Sequence, residues 1–257
     1  MQDIKAKLVL CIIAITGIAL TLTSSRAVTE QDVLTIGTTD RITELSPANS
    51  YDYWTWHVLQ QTSDALVTIE PGTSSIAPSL AESWEITGTR YTFHLRRGVT
   101  FWDGAPFNCE AMKWSLERNL ELNGSGGAVG LLKMIKNIWC SDSYTLNIRI
   151  DEPDATFLAR LADTVAPSLA LSPETTPENQ FAKGHYAGAG PYTLIEYTPE
   201  EISILRTPRI LYDAYDNYWG PQPKSKRVIE EFYIDSAALR AAVEAGEVDV
   251  GFIVFAG

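Results

Sequence analysis

The sequence predicts a mixed α/β (α+β) fold, and three observations carry that prediction. Stretches with apolar residues at every second position alternate with stretches where they recur every third or fourth, so strands and helices are interleaved. Turn-forming pairs such as Pro71-Gly72 and Asp103-Gly104 break the chain at the short intervals typical of hairpins. An apolar fraction of 45% over 257 residues is enough to bury a real core.

In chain order, residues 33–37 read as a strand, followed by a polar loop containing Ser46-Pro47. Residues 51–64 read as a helix, because Trp54, Val58 and Leu59 fall on one face. Residues 66–69 form a short strand stopped by Pro71-Gly72. Residues 83–87 and 91–96 make a hairpin about Gly88, with Tyr91, Phe93 and Leu95 on one face and Thr92, His94 and Arg96 on the other. Asn108 is placed as the N-cap of a helix over 109–122 whose inner face is Met112, Ser115, Leu116 and Leu120. Residues 124–130 form a Gly-rich loop. Tyr144, Leu146, Ile148 and Ile150 alternate as a strand, and residues 155–161 form a short helix. Residues 192–197 and 202–205 read as a second hairpin, 228–234 as a strand, 236–245 as a helix and 248–254 as a strand.

Lys5 and Lys7 precede an apolar run over 8–22, and Ser25-Arg26-Ala27 follows with small residues where a signal peptidase reads. The run is shorter than the roughly 20 residues a spanning helix needs. Residues 1–27 are therefore expected to be a secretory signal cleaved after Ala27, leaving 28–257 as the mature, periplasmic or extracytoplasmic protein. Export would permit a disulfide between the two remaining cysteines, Cys109 and Cys140. Two small buried thiols are the preferred reading, and the pairing is left open.

A net charge of −12 argues against a nucleic-acid partner, which needs a basic face; it suits a soluble monomer. His57, His94 and His185 sit in no metal-ligand spacing, and there is no Gly-x-Ser-x-Gly elbow. Gly188-Ala189-Gly190-Pro191 precedes an alternating strand and no helix, so it reads as a strand entry and not a dinucleotide loop. No catalytic constellation emerges: the chain is expected to be no enzyme and to use no metal or cofactor. Ligands in sheet-based folds sit beyond strand ends, where loops converge. That places candidate ligand-binding residues at Thr38, Thr39 and Asp40, after the first strand, and at Tyr51, Asp52 and Tyr53, where the next helix begins.

Three stretches, in this order and spacing, resemble one family. The first is Leu80-Ala81-Glu82-Ser83-Trp84-Glu85-Ile86, with Tyr91-Thr92-Phe93-His94-Leu95-Arg96-Arg97-Gly98-Val99-Thr100-Phe101-Trp102-Asp103-Gly104-Ala105-Pro106-Phe107 after it. The second is Gly188-Ala189-Gly190-Pro191-Tyr192, and the third runs from Tyr215-Asp216-Asn217-Tyr218-Trp219-Gly220 to Ala245-Gly246-Glu247-Val248-Asp249-Val250. Together they resemble the solute-binding proteins of bacterial peptide and nickel ABC importers, family 5. Where the family usually has an acidic residue in the first turn of the helix after Asn108, this chain has Ala111 following Glu110.

The resemblance implies a periplasmic-binding-protein-like first lobe with an extra subdomain, the second lobe being absent. It implies a peptide ligand held between lobes and delivered to the membrane subunits of an ABC importer. Oligosaccharide or nickel-chelate ligands, or a non-transporting remnant acting as an interaction module, are the alternatives. It also implies that the Trp102-Asp103-Gly104 region is a structural turn and no ligand contact. A lone lobe would bind at least about a thousandfold more weakly than a two-walled clamp, each 1.4 kcal/mol lost being about tenfold.

Overall fold

The computed structural model describes residues 32–42, 44–122, 128–162, 166–174, 184–198 and 208–253. The expected signal segment and the expected strand at 202–205 lie outside these residues. Among the described residues, eleven strands and four α-helices are ordered as β1 (Val33–Thr38), α1 (Tyr53–Thr62), β2 (Val67–Ile69), β3 (Ile76–Pro78), β4 (Ala81–Thr87), β5 (Arg90–Leu95), α2 (Cys109–Leu122), β6 (Ile135–Asp142), β7 (Thr145–Ile150), α3 (Phe157–Arg160), β8 (Tyr192–Thr198), β9 (Arg209–Ala214), β10 (Arg227–Phe232), α4 (Ser236–Ala245) and β11 (Val250–Phe252). The mixed α/β class expected from the sequence is the one observed.

Beside a small antiparallel β2–β3 pair, two larger sheets organise the described residues. One has the order β11-β1-β10-β9-β8, with β1 parallel to both β10 and β11 and the remaining pairs antiparallel. The other, β4-β5-β7-β6, is antiparallel throughout. α1 joins the first sheet in a core with Val58, Leu59, Ile210 and Tyr212. α2 packs on the second sheet in a larger core with Phe93, Phe101, Phe107, Met112 and Leu116. Trp102 packs against both cores, and its ring lies 5.2 Å from that of Tyr186.

α1, α2 and α4 begin where capping chemistry dictates. Asp52, Asn108 and Asp235 each accept a hydrogen bond from the amide three residues on, at 2.8, 3.0 and 2.8 Å. Gly246, at φ 74°, closes α4 in the left-handed conformation that glycine adopts without strain.

One expectation needs correction, and one strand, β9, was not expected from the sequence. The described partner of β8 is β9, with Tyr192 opposite Ala214 and Thr198 opposite Arg209. Ile210, Leu211 and Tyr212 are all buried, so β9 lacks the alternation that reveals a half-buried strand. Cys109 and Cys140 form a disulfide, with Cα atoms 5.9 Å apart, in place of two separate thiols. The Cys109 amide donates to the Ser143 carbonyl at 2.8 Å, and Cys140 lies opposite Leu146 in the β6–β7 pair. The first residue of α2 is thereby held over the strand that carries its partner. The bond spans 31 residues of sequence; breaking it is expected to cost about 4 kcal/mol through loop entropy. Urea unfolding with and without reductant measures this.

The five-stranded sheet also buries phenols. Burial pushes the hydroxyls of Tyr186 and Tyr212 well above their ordinary pKa of 10.0, and the neighbouring Glu230 carboxylate adds to the effect at Tyr212. In the unfolded chain these groups ionise near pH 10, so above that pH the unfolded state binds fewer protons than the folded state. Their contribution to stability is complete below pH 10 and is lost as pH rises further. Thermal unfolding followed by circular dichroism should give a Tm that falls above pH 10, and less steeply in Tyr212→Phe.

Candidate functional site

Strands β1, β10 and β11 run parallel and end together: Thr38 lies opposite Phe232 on one side and Phe252 on the other. The chains leaving these ends stay joined. The Thr39 amide donates to the Phe252 carbonyl at 3.2 Å, and the Tyr233 amide to the Thr38 carbonyl at 2.8 Å. The start of α1 comes alongside, with the Trp54 ring 5.6 Å from that of Phe252.

Around this edge the surface is unusually apolar. Tyr53 is 90% exposed, Ile234 74%, Tyr51 64% and Phe252 48%. Tyr51 meets Trp56 edge-on at 5.6 Å, and Tyr51, Asp52, Tyr53 and Trp56 line a shallow cavity of about 190 Å³. Large apolar groups left in water beside converging strand ends are a usual mark of a binding surface.

The six residues singled out from the sequence have different roles here. Thr38 is fully buried, and its hydroxyl accepts from the Asp40 amide at 3.0 Å. The Asp40 carboxylate accepts from the Arg41 amide at 2.8 Å. Thr39 contributes its backbone to the strand-end lattice, and Asp52 caps α1. Tyr51 and Tyr53 alone among the six present large exposed side chains. Sequence reading missed Arg41, Ile234, Phe252 and Ile253. The run Gly251-Phe252-Ile253-Val254 reads as an ordinary strand, and nothing in it signals that the strand ends at the surface.

Beneath the edge lies a carboxylate that sequence reading also missed. Glu230, in β10, is fully buried. It accepts from the Trp54 indole at 2.8 Å and the Tyr212 hydroxyl at 3.0 Å, and His57 Nε2 lies 3.2 Å away. Buried charge is tolerated only when its lone pairs are satisfied in this way. The indole it fixes is the one that backs Phe252.

The Arg96–Phe107 stretch is structural. The Asp103 carboxylate accepts from the Ala105 amide at 2.9 Å, and Gly104 has φ 87°. Arg96 lies over the Trp219 ring at 4.3 Å and Arg97 over Tyr144 at 4.2 Å. Trp219 in turn donates to Asp64 at 2.7 Å, and Tyr215 donates to the Phe101 carbonyl at 2.8 Å. The Trp102 amide reaches the Gly188 carbonyl at 3.1 Å. The three sequence stretches thus touch one another, which is why they occur together. A cavity of about 400 Å³ runs along α2 between Trp114 and Pro173, and its lysine, Lys113, is already paired with Glu117 at 2.8 Å. Its described lining holds none of the residues at the converging strand ends.

Comparison with known proteins follows the same lines. The chain is 30% identical over 210 residues to the dipeptide-binding protein of Escherichia coli (strain K12), covering 72% of this chain and 38% of that protein. It is 29% identical over 214 residues to heme-binding protein A of Haemophilus influenzae, covering 74% of this chain and 38% of that protein. Among solved structures it matches the periplasmic binding protein DppA from Helicobacter pylori in complex with peptide STSA, at TM-score 0.72 and 26% identity, over 84% of this chain and 45% of that one. It also matches the nickel ABC transporter protein from Bacillus halodurans, at TM-score 0.70 and 28% identity, over 85% and 42%. The chain thus spans 38% of the length of these curated relatives. The family model described as bacterial extracellular solute-binding proteins, family 5 Middle, matches residues 75–256, and the chain belongs to that family.

Proposed function

We propose that this chain is part of the substrate-binding component of an ABC importer and takes up peptides outside the cytoplasm, carrying out no chemistry on them. The similarity to the Escherichia coli dipeptide-binding protein over 72% of the chain supports this reading, as does the structural match to a binding protein holding a peptide. The observation that carries it is the apolar surface at the ends of β1, β10 and β11, with Tyr51, Tyr53, Ile234 and Phe252 exposed. Extended peptides are held by backbone hydrogen bonds with side chains in flanking pockets. β11 is the edge strand of its sheet among the described residues, so both elements are available at this face.

In this reading residues 1–27 direct export, and the importer's membrane subunits are the partners. The chain forms one wall of the ligand cleft, and the other wall belongs to the length over which its relatives extend beyond the match. Thr38, Thr39 and Asp40 shape the wall, and Tyr51 and Tyr53 with Asp52 border the ligand.

Saturation-transfer NMR with tri-alanine tests the reading on this chain, since one wall gives weak affinity in roughly the millimolar range. Transfer to the peptide methyl groups is expected, and it should fall in a Tyr53→Ser, Phe252→Ser double variant. Equal transfer in both proteins would place contact elsewhere and overturn the assignment.

A further inference from the structure

Arg41 follows directly on the loop after β1, and its guanidinium is held at the strand ends by backbone alone. One nitrogen, Nη1, donates to the carbonyls of Asp40 at 2.9 Å, Tyr233 at 3.1 Å and Thr39 at 3.4 Å. These carbonyls follow the last residues of β1 and β10, so the group bridges two of the three strands that end at the apolar surface. The residue is exposed. A guanidinium has five N–H donors in a rigid plane, and the edge formed by Nε and Nη2 matches the two oxygens of a carboxylate. All three side-chain bonds of Arg41 fall on Nη1, and among the described residues no acceptor meets the Nε–Nη2 edge.

We propose that Arg41 is a specificity-determining residue of this face, and that its Nε–Nη2 edge receives a carboxylate of the ligand. The proposal rests on the peptide-binding reading and narrows it to ligands with a free carboxylate. Preorganisation is the physical reason: three carbonyls already fix the plane of the group, so little side-chain freedom remains to be lost when an anion docks. Phe252, half exposed and joined to this loop by the Thr39 amide, suits the apolar part of such a ligand. The surrounding charges oppose it in part. Asp40 is adjacent, with one oxygen on the Arg41 amide; Glu231 is bonded by the Tyr233 hydroxyl at 2.8 Å; and Asp52 is engaged in capping α1. Affinity for a simple carboxylate is therefore weak, and the selectivity lies in position.

The test uses the full chain with its arginine side-chain Nε–H signals followed by NMR. Sodium acetate is titrated first, with sodium chloride at matched ionic strength as control. The Arg41 Nε–H signal is expected to shift and saturate, while the other arginines shift weakly without saturating. An Arg41 signal that behaves like the rest overturns the proposal whether or not any peptide binds. Tri-alanine and its C-terminal amide are then compared. The free acid is expected to bind at least about tenfold more tightly than the amide, as loss of a charged hydrogen bond implies. The difference should vanish in Arg41→Ala and return only in part in Arg41→Lys, which lacks the planar fork. Equal binding of acid and amide to the unsubstituted chain refutes the proposal while leaving peptide binding intact. Saturable acetate without binding of either peptide refutes the peptide reading and leaves the carboxylate site standing.

Discussion

Replacing Gly188 by alanine is expected to destabilise the protein by on the order of 4 kcal/mol or more, at the exceptional end for a single methyl group. Gly188 and Gly190 lie against the end of α1. The Gly190 amide donates to the Thr62 carbonyl at 3.2 Å, and a methyl on Gly188 would overlap the carbonyl oxygen of Thr62 and the hydroxyl of Ser63. Overpacking against a flexible side chain costs about 1–3 kcal/mol, because the neighbour can turn aside. Here the obstacle is backbone, so either the helix end or the strand entry must move. The Thr62 hydroxyl is bonded to that of Tyr186 at 2.6 Å, and the Gly188 carbonyl holds the Trp102 amide. The disturbance therefore reaches the residue that joins the two cores. Urea unfolding gives the loss directly. Gly72→Ala is the control: it has open space around it but φ 77°, so it should lose only about 1 kcal/mol from backbone strain.

Glu230→Ala is expected to cost about 4 kcal/mol, through a different mechanism. Removing the carboxylate leaves the Trp54 indole N–H and the Tyr212 hydroxyl buried without the acceptor they use, at about 1–3 kcal/mol each. His57 is partly exposed and can turn to water. Glu230→Gln should lose less, since the amide oxygen still accepts one bond and the tyrosine hydroxyl can accept in turn. The network predicts coupling: Tyr212→Phe on its own removes one donor, and in the Glu230→Ala background it should cost far less than alone. Additive losses in that double-mutant cycle would show that the two groups do not depend on each other. Because Trp54 backs Phe252, Glu230→Ala should also weaken saturation transfer to tri-alanine at temperatures where the variant remains folded.

Local chemistry accounts for what could be read from the sequence. The start of α2 was legible because Asn108 is an unambiguous cap, and the expected bounds of α4 are those observed, where Asp235 and Gly246 cap it. The Tyr91, Phe93 and Leu95 face was legible because β5 is buried on one side of an antiparallel sheet. β9 was not, since burial on both faces removes its alternation. Glu230 was not, because a glutamate in a strand reads as a solvent-facing residue, and only the fold brings Trp54, 176 positions away, to its carboxylate. The candidate site was half legible. The loop after β1 and the start of α1 do converge, which follows from where strands end. Which side chains face outward does not follow: Thr38 and Asp52 turn to the backbone, while Ile234 and Phe252 are brought alongside by two parallel pairings far apart in sequence.

The central claim is that the ends of β1, β10 and β11 form the ligand-contacting wall. Photo-cross-linking with a diazirine-bearing tripeptide, followed by mass-spectrometric mapping of the labelled positions, tests it most directly. Labels are expected at residues 39–41, at Tyr51 and Tyr53, and at Ile234, Phe252 or Ile253, and excess tri-alanine should reduce them. Labels confined to the outer face of α2, around Trp114 and Glu117, or spread evenly over the surface and indifferent to competitor, would contradict it.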